Sequence, residues 1–303
     1  MSTFDELILM GQDIADYGGV FKITDGFLAR YGKERVRNTP ICESAVLGIA
    51  VGLSLKGYKS VVEMQFSDFV TCGFNQIVNN MAKLHYRWGQ NVDCVIRMPT
   101  GGSVGAGPFH SQSTEAWFTH TPGLKVVYPS NAIDAKGLLI SAIIDPNPVL
   151  FFEHKAMYRS VSGKVPEEKY TIEIGKARIA RKGTACSIIT YGLGVHWAIE
   201  VLEELNIDGE VLDLRSLQPL DYDAINETVR KTNRVILLHE DAMFGGIGAD
   251  LSAYIAEHLF EHLDAPLLRV ASLDTPIPFN KKLEDAYLPK KRLRESIAKI
   301  MEY

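Results

Sequence analysis

Several familiar signatures are missing from this 303-residue chain. Its four cysteines, Cys42, Cys72, Cys94 and Cys186, nowhere fall into CxxC spacing. That removes a zinc ribbon and a disulfide framework from consideration. No basic block accompanies the net charge of −5, so the electrostatic footprint of a nucleic-acid binder is absent. Apolar runs are broken by charge or turn residues well short of a membrane span. The apolar patch Leu7 to Met10 follows Asp5 and Glu6, where a signal peptide would carry positive charge. The glycine-rich GGSVGAGPFH ends in neither GKS nor GKT and lacks GxGxxG spacing, so it is no phosphate loop. Neither a short-period repeat nor a low-complexity tract occurs. These absences leave a cytoplasmic protein, with no nucleic-acid and no membrane partner, as the expectation.

What is present is ordinary globular composition: 46% apolar and 23% charged residues, in a length sufficient for two domains. In the first half, β-rich runs (KSVVEMQF, DCVIRMP, GLKVVYP, NPVLFFEH) alternate with helical segments (SAVLGIAVGLSL, FNQIVNNMAKLHYRW, AIDAKGLLISAII). A polar stretch, SVSGKVPEEKYTIEIG, interrupts the pattern. Alternation then resumes, with strands ACSIITYG, GEVLDL, RVILLHED and LLRVASL between helices VHWAIEVLEEL, DYDAINETVRKT and GADLSAYIAEHLFEHL. The pattern predicts an α/β protein of two tandem α/β domains, 1–160 and 176–303, joined by a linker over 161–175.

Three segments carry candidate chemistry. Thr39-Pro40 reads as a helix start with proline at the first position, which puts Glu43 in the first turn. The acid could simply balance the helix dipole. The residues after it, Ala45 to Ala50, are small or apolar on every face, so the helix should be buried. A buried acid without a cationic partner holds a proton near neutrality and can donate it to a ring nitrogen. Phe66 and Phe69 stand just past a strand, as core residues or as the wall of a site at the carboxyl ends of the strands. Gly101, Gly102, Gly105 and Gly107 read as a flexible loop carrying His110 over a pocket, for proton transfer or carboxylate binding. Cys42, beside Glu43, reads as an apolar filler. YGLGVH reads as a tight turn, and FGGIG as the start of a helix close to a strand.

Long collinear segments then carry a resemblance. RVRNTPICESAVLGIAVGLSLKGYKSVVEMQFSDFV, FNQIVNNMAKLHYRWG, FHSQSTEAWFTHTPGLKVVYPSNAIDAKGLL, DPNPVLFFEHKAMYR, VLDLRSLQPLDYDAI, HEDAMFGGIGADL and LDTPIPFNKKLEDAYLP span most of the sequence. In them the chain resembles the beta subunit of the decarboxylating, thiamine-diphosphate-dependent component of 2-oxo acid dehydrogenase complexes. The resemblance implies a transketolase-like pyrimidine-binding domain followed by a transketolase C-terminal-like domain. It gives Glu43 the role of hydrogen-bonding the aminopyrimidine ring. Phe69, with Phe66 beside it, matches the aromatic position that packs on the pyrimidine. His110 matches a histidine lining the channel, where it serves the substrate carboxylate or the lipoyl acceptor. A structural potassium ion, held mainly by backbone oxygens, is implied at Val92, Cys94, Val95, Ala142, Asp145 and Asn147.

The resemblance also implies what lies outside this chain. The family's magnesium-diphosphate motif begins with GDG, which occurs nowhere here. Magnesium and the diphosphate half of thiamine diphosphate are therefore expected from an alpha subunit in an α2β2 heterotetramer, with the lipoyl-bearing acyltransferase component as a further partner. Members usually carry an amphipathic helix before the strand found here in ELILMGQD, whereas this sequence opens almost at that strand. SQSTEAWF and LFFEHKAMYR look nearer to the branched-chain type of 2-oxo acid substrate, with pyruvate and acetoin as alternatives. A single-chain transferase of transketolase type and a non-catalytic assembly subunit are the remoter readings.

Overall fold

The computed structural model describes residues 1–303. Six strands in chain order open the fold: β1 (Leu7–Gly11), β2 (Val36–Asn38), β3 (Lys59–Glu63), β4 (Cys94–Thr100), β5 (Lys125–Val127) and β6 (Val149–His154). Six more follow: β7 (Arg178–Arg181), β8 (Ser187–Thr190), β9 (Glu210–Asp213), β10 (Ser216–Gln218), β11 (Val235–Ala242) and β12 (Leu268–Ser272). They form a seven-stranded sheet, order β10-β5-β6-β4-β3-β1-β2, and a five-stranded sheet, order β12-β11-β8-β9-β7. All pairings are parallel except the edge pairs β10 with β5 and β7 with β9. Central strands such as β4 are buried along their whole length, as expected where helices cover both faces of a parallel sheet.

β10 comes from the second half of the sequence yet closes the edge of the first sheet. The two halves are therefore stitched together by backbone pairing as well as by side chains. Their largest apolar cluster runs from Ile8 and Leu47 through Tyr128 and Leu217 to Ile225 and Leu251. Polar contacts cross the same boundary: Ser130 donates to Asp213 at 2.5 Å, Arg178 bridges Asp134 and Asp213, and Tyr191 donates to Glu115 at 2.8 Å. The stretch 161–175 has no regular structure, but it is not loose. Ile172 exchanges hydrogen bonds with Ser141 and donates its N–H to the Gly137 carbonyl, and a Cβ at Gly137 would lie 2.6 Å from the Ile172 side chain.

Three local expectations change. The helix of the candidate acid begins at Glu43, not at Pro40, with Cys42 as its cap residue and no side-chain capping bond. Glu43 remains in the first turn, where a carboxylate complements the helix dipole. Nor is this helix buried all round. Val46, Leu47, Ala50 and Ser54 face the sheet, whereas Ile49 is 51% exposed and Ile41, just before the helix, is 83% exposed. Segment 74–88 is not one regular helix, but a π-helical turn (Gln76–Met81) running into the helix Ala82–Trp88.

Candidate active site

In a parallel sheet the loops at the carboxyl ends of the strands collect on one edge, where ligands of open α/β sheets bind. Three such loops bring the candidate residues together. After β1, the Gln12 amide donates to Glu43 Oε1 at 3.0 Å. After β3, a 3-10 segment (Ser67–Gly73) packs on the Glu43 helix so closely that a Cβ at Gly73 would meet Leu47 at 2.3 Å. That segment carries Phe69, with Phe66 as its cap residue. After β4 comes the glycine-rich loop with His110.

The rings of Phe66, Phe69 and His110 form one cluster. His110 meets Phe66 edge-to-face at 4.9 Å and Phe69 at 5.5 Å, and the two phenylalanines meet each other at 5.6 Å. All three are only half-buried, so this aromatic surface remains available. Glu43 is buried, 8% exposed. Asp68, also buried, holds the far side of the His110 loop by accepting the backbone N–H of Gln112 at 3.1 Å and its side-chain amide at 2.9 Å.

The loop is closely packed. Gly101 and Gly107 adopt left-handed φ of +87° and +70°, which favour glycine. A Cβ at Gly101 would lie 2.3 Å from the His154 ring, and one at Gly107 would lie 2.3 Å from Phe279. Glycine here permits close approach, not mobility.

The sequence pattern gave no warning of Lys155. Buried just past β6, its ammonium donates to the Gly101 carbonyl at 2.6 Å and lies 5.7 Å from the Phe66 ring centre. Burial pulls its pKa down to about 8, against the opposing pull of Asp68, Glu240 and Glu284. Where the two halves of the chain meet lies a second unforeseen group. Burial pushes Glu115 up to about 8, with the charge of Asp241 adding to the shift, although Tyr191 donates to it. Burial likewise pushes Asp241 up to about 7. Glu240 moves the other way: burial alone would raise it, but His154 and the Gly102 N–H, aided by Lys155, bring it below the ordinary carboxylate range. The first signal of this group was in plain sight, a histidine and two acids near the end of β11 as HED, yet its partners lie in the other half of the chain.

The positions implied for potassium fall on two neighbouring segments. Cys94 and Val95 open β4, with Val92 just before it; Ala142 lies in the helix Ala132–Ile144, and the turn after that helix carries Asp145 and Asn147. The Val92 N–H donates to the Pro146 carbonyl at 3.0 Å, and Val95 pairs in register with Val149. Burial pushes the Cys94 thiol up to about 12, so it offers no thiolate. No group of three or more His, Cys, Asp or Glu side chains is placed to hold a metal. Any cation here would have to be a hard one on backbone oxygens, and Lys125 already pairs with the Asp145 carboxylate.

Five cavities of about 320 to 430 Å³ occur elsewhere, and none is lined by Glu43, Phe66, Phe69 or His110. No helix is long and apolar enough to cross a membrane, and all four cysteines are unpaired.

The two tandem α/β units are those of the transketolase type of chain. The family description "Transketolase, pyrimidine binding domain" matches residues 1–161, and "Transketolase, C-terminal domain" matches 175–292. A solved split-gene transketolase, an inactive beta4 tetramer, superposes with a TM-score of 0.78 over 98% of this chain and 92% of its own, at 22% identity. That likeness speaks to the fold alone. Sequence relatives are closer. The 2-oxoisovalerate dehydrogenase subunit beta of Bacillus subtilis (strain 168) is 44% identical over 95% of this chain and 90% of its own length. The pyruvate dehydrogenase E1 component subunit beta of the same organism is 43% identical, over 99% and 94%. A mitochondrial 2-oxoisovalerate dehydrogenase subunit beta from Dictyostelium discoideum is 43% identical, over 100% and 83%. The chain belongs to the family of 2-oxo acid dehydrogenase beta subunits.

Proposed function

We propose that this chain is the beta half of a thiamine-diphosphate-dependent dehydrogenase that decarboxylates a branched-chain 2-oxo acid and passes the acyl group to lipoyl-lysine of an acyltransferase component. Pyruvate is the alternative substrate, since relatives of both kinds match nearly equally well. The observation that carries the reading is the cluster of the Phe66, Phe69 and His110 rings, on a segment that packs against the helix opened by the buried Glu43. A buried carboxylate beside a flat apolar surface suits a heteroaromatic ring with a nitrogen to protonate. The chain also lacks the GDG that opens the family's magnesium–diphosphate motif. We therefore assign the diphosphate and magnesium to an alpha subunit, in an α2β2 assembly whose site lies between the two chains. The exposed apolar flank of the Glu43 helix, with Ile41 and Ile49, supports burial against another chain.

When bound, thiamine diphosphate supplies the carbanion and the electron sink that decarboxylation requires. Glu43 accepts or holds the proton at the pyrimidine nitrogen, and the Gln12 amide fixes which way its carboxylate faces. Phe66 and Phe69 orient the ring and exclude water from one side. His110, held edge-on to both, presents an imidazole nitrogen toward the substrate carboxylate or the lipoyl acceptor. A structural potassium on the backbone oxygens around Val92 to Val95, Ala142, Asp145 and Asn147 belongs to this proposal, as does a cytoplasmic setting.

The test is activity of the co-assembled alpha and beta chains toward each 2-oxo acid in turn. Faster turnover of branched acids than of pyruvate, lost in Glu43→Gln, supports the assignment. Equal rates on both defeat the branched-chain part, and a fully active Glu43→Gln assembly defeats the catalytic part.

A further inference from the structure

The loop Gly101 to His110 leaves the first sheet, but much of what holds it belongs to the second half of the chain. Glu240, on β11, accepts the Gly102 N–H at 2.5 Å through Oε1, and its Oε2 lies 2.6 Å from His154 Nε2. Glu284, in the helix Lys281–Tyr287, accepts the Gly105 N–H through both oxygens, at 3.3 and 3.2 Å. The Phe279 ring lies on Gly107, and Ile277 lies on Gly102. Both carboxylates are buried. Glu284 forms no ion pair at all, and its hydrogen bonds are those to the loop. Burying a carboxylate is costly unless donors satisfy it, and bonds to a charged acceptor are about twice as strong as neutral ones. Two buried acids aimed at two loop amides, where hydroxyls or water would satisfy the backbone, therefore indicate a loop that is held in one place.

We propose that Glu240 and Glu284 are positioning residues: from the second domain they fix the loop that carries His110 against Phe66 and Phe69. The step from loop geometry to catalysis rests on the role given to His110 above. On this account the relative placement of the two domains sets the geometry of the site, and a disturbance of the helix Lys281–Tyr287 reaches the catalytic edge through one side chain.

The experiment uses the alpha–beta assembly, with two readouts: hydrogen exchange of peptides covering 101–110, and steady-state kinetics on the 2-oxo acid. Glu284→Ala should speed exchange at Gly105 by about tenfold or more, the equivalent of one charged hydrogen bond. It should also lower kcat several-fold while changing thiamine diphosphate affinity less than twofold. Glu284→Gln keeps a carbonyl acceptor and should restore slow exchange and kcat together. Should Glu284→Ala fail to assemble, Phe279→Ala, at a 61% exposed position, serves for the same two readouts. Unchanged loop exchange overturns the clamp. Faster exchange with unaltered kcat overturns its positioning role. His110→Ala, measured alongside, separates the two ideas: full activity there would defeat the role given to His110, while loop exchange still reports on the clamp by itself.

Discussion

Replacing Gly101 with alanine tests how tightly the two halves meet at the catalytic edge. Gly101 has φ of +87°, and holding an alanine there costs about 1–2 kcal/mol. The new Cβ would lie 2.3 Å from His154 Nε2, on a ring buried to 1% exposure and engaged with Glu240 at 2.6 Å. That ring is not the free end of a flexible chain, so overpacking adds about 1–3 kcal/mol. Gly105→Ala is the control. Its φ of +68° carries the same backbone cost, but its Cβ would meet only the Phe279 carbonyl, at 4.0 Å. Urea unfolding of the assembly should therefore give a lower midpoint for Gly101→Ala, the gap between the two corresponding to about 1–3 kcal/mol. Equal midpoints would show that His154 moves aside freely and would refute the reasoning.

Other consequences follow from the buried charges. Because the folded-state pKa of Glu115 is raised to about 8 by burial, the folded protein binds more protons than the unfolded chain from the ordinary carboxylate range up to about 8. Stability should fall as pH rises through that window, and Glu115→Gln should flatten the dependence in thermal melts from pH 5 to 9. A wild-type slope in the variant would remove Glu115 as its source. Arg97, on β4, is buried between Glu63 and Glu153 and pairs with both. Arg97→Met leaves the buried Glu63 and the largely buried Glu153 without their counter-charge and should cost about 3–5 kcal/mol in urea unfolding. A loss below 1 kcal/mol would show that water reaches the pair.

Most strands were legible because parallel-sheet strands are near-continuous apolar runs. KSVVEMQF and NPVLFFEH each contain a strand of the structure, and DCVIRMP and RVILLHED each cover all but the last residue of one. The short edge strands β2, β7 and β10 were not legible. β10, three residues long, is defined by its pairing with β5 across some ninety residues of chain, which no local pattern records. In the site, Glu43, Phe66, Phe69 and His110 stood out because each departs from its surroundings: an acid among apolar residues, aromatics past a strand, a histidine after glycines. Glu240 and Glu284 did not, since they reach the loop across 138 and 179 residues. Glycine led to the opposite error. GGSVGAG suggests freedom when read alone, but in the fold two of its glycines are pressed against His154 and Phe279.

The central claim is that this chain holds half of a cofactor site, which a second subunit completes. Titrating thiamine diphosphate with magnesium against the co-expressed alpha–beta pair, and against each chain alone, tests it most directly. Tight, magnesium-dependent binding by the pair only is the predicted result. Tight binding by this chain alone would reveal a diphosphate site of its own and contradict the account.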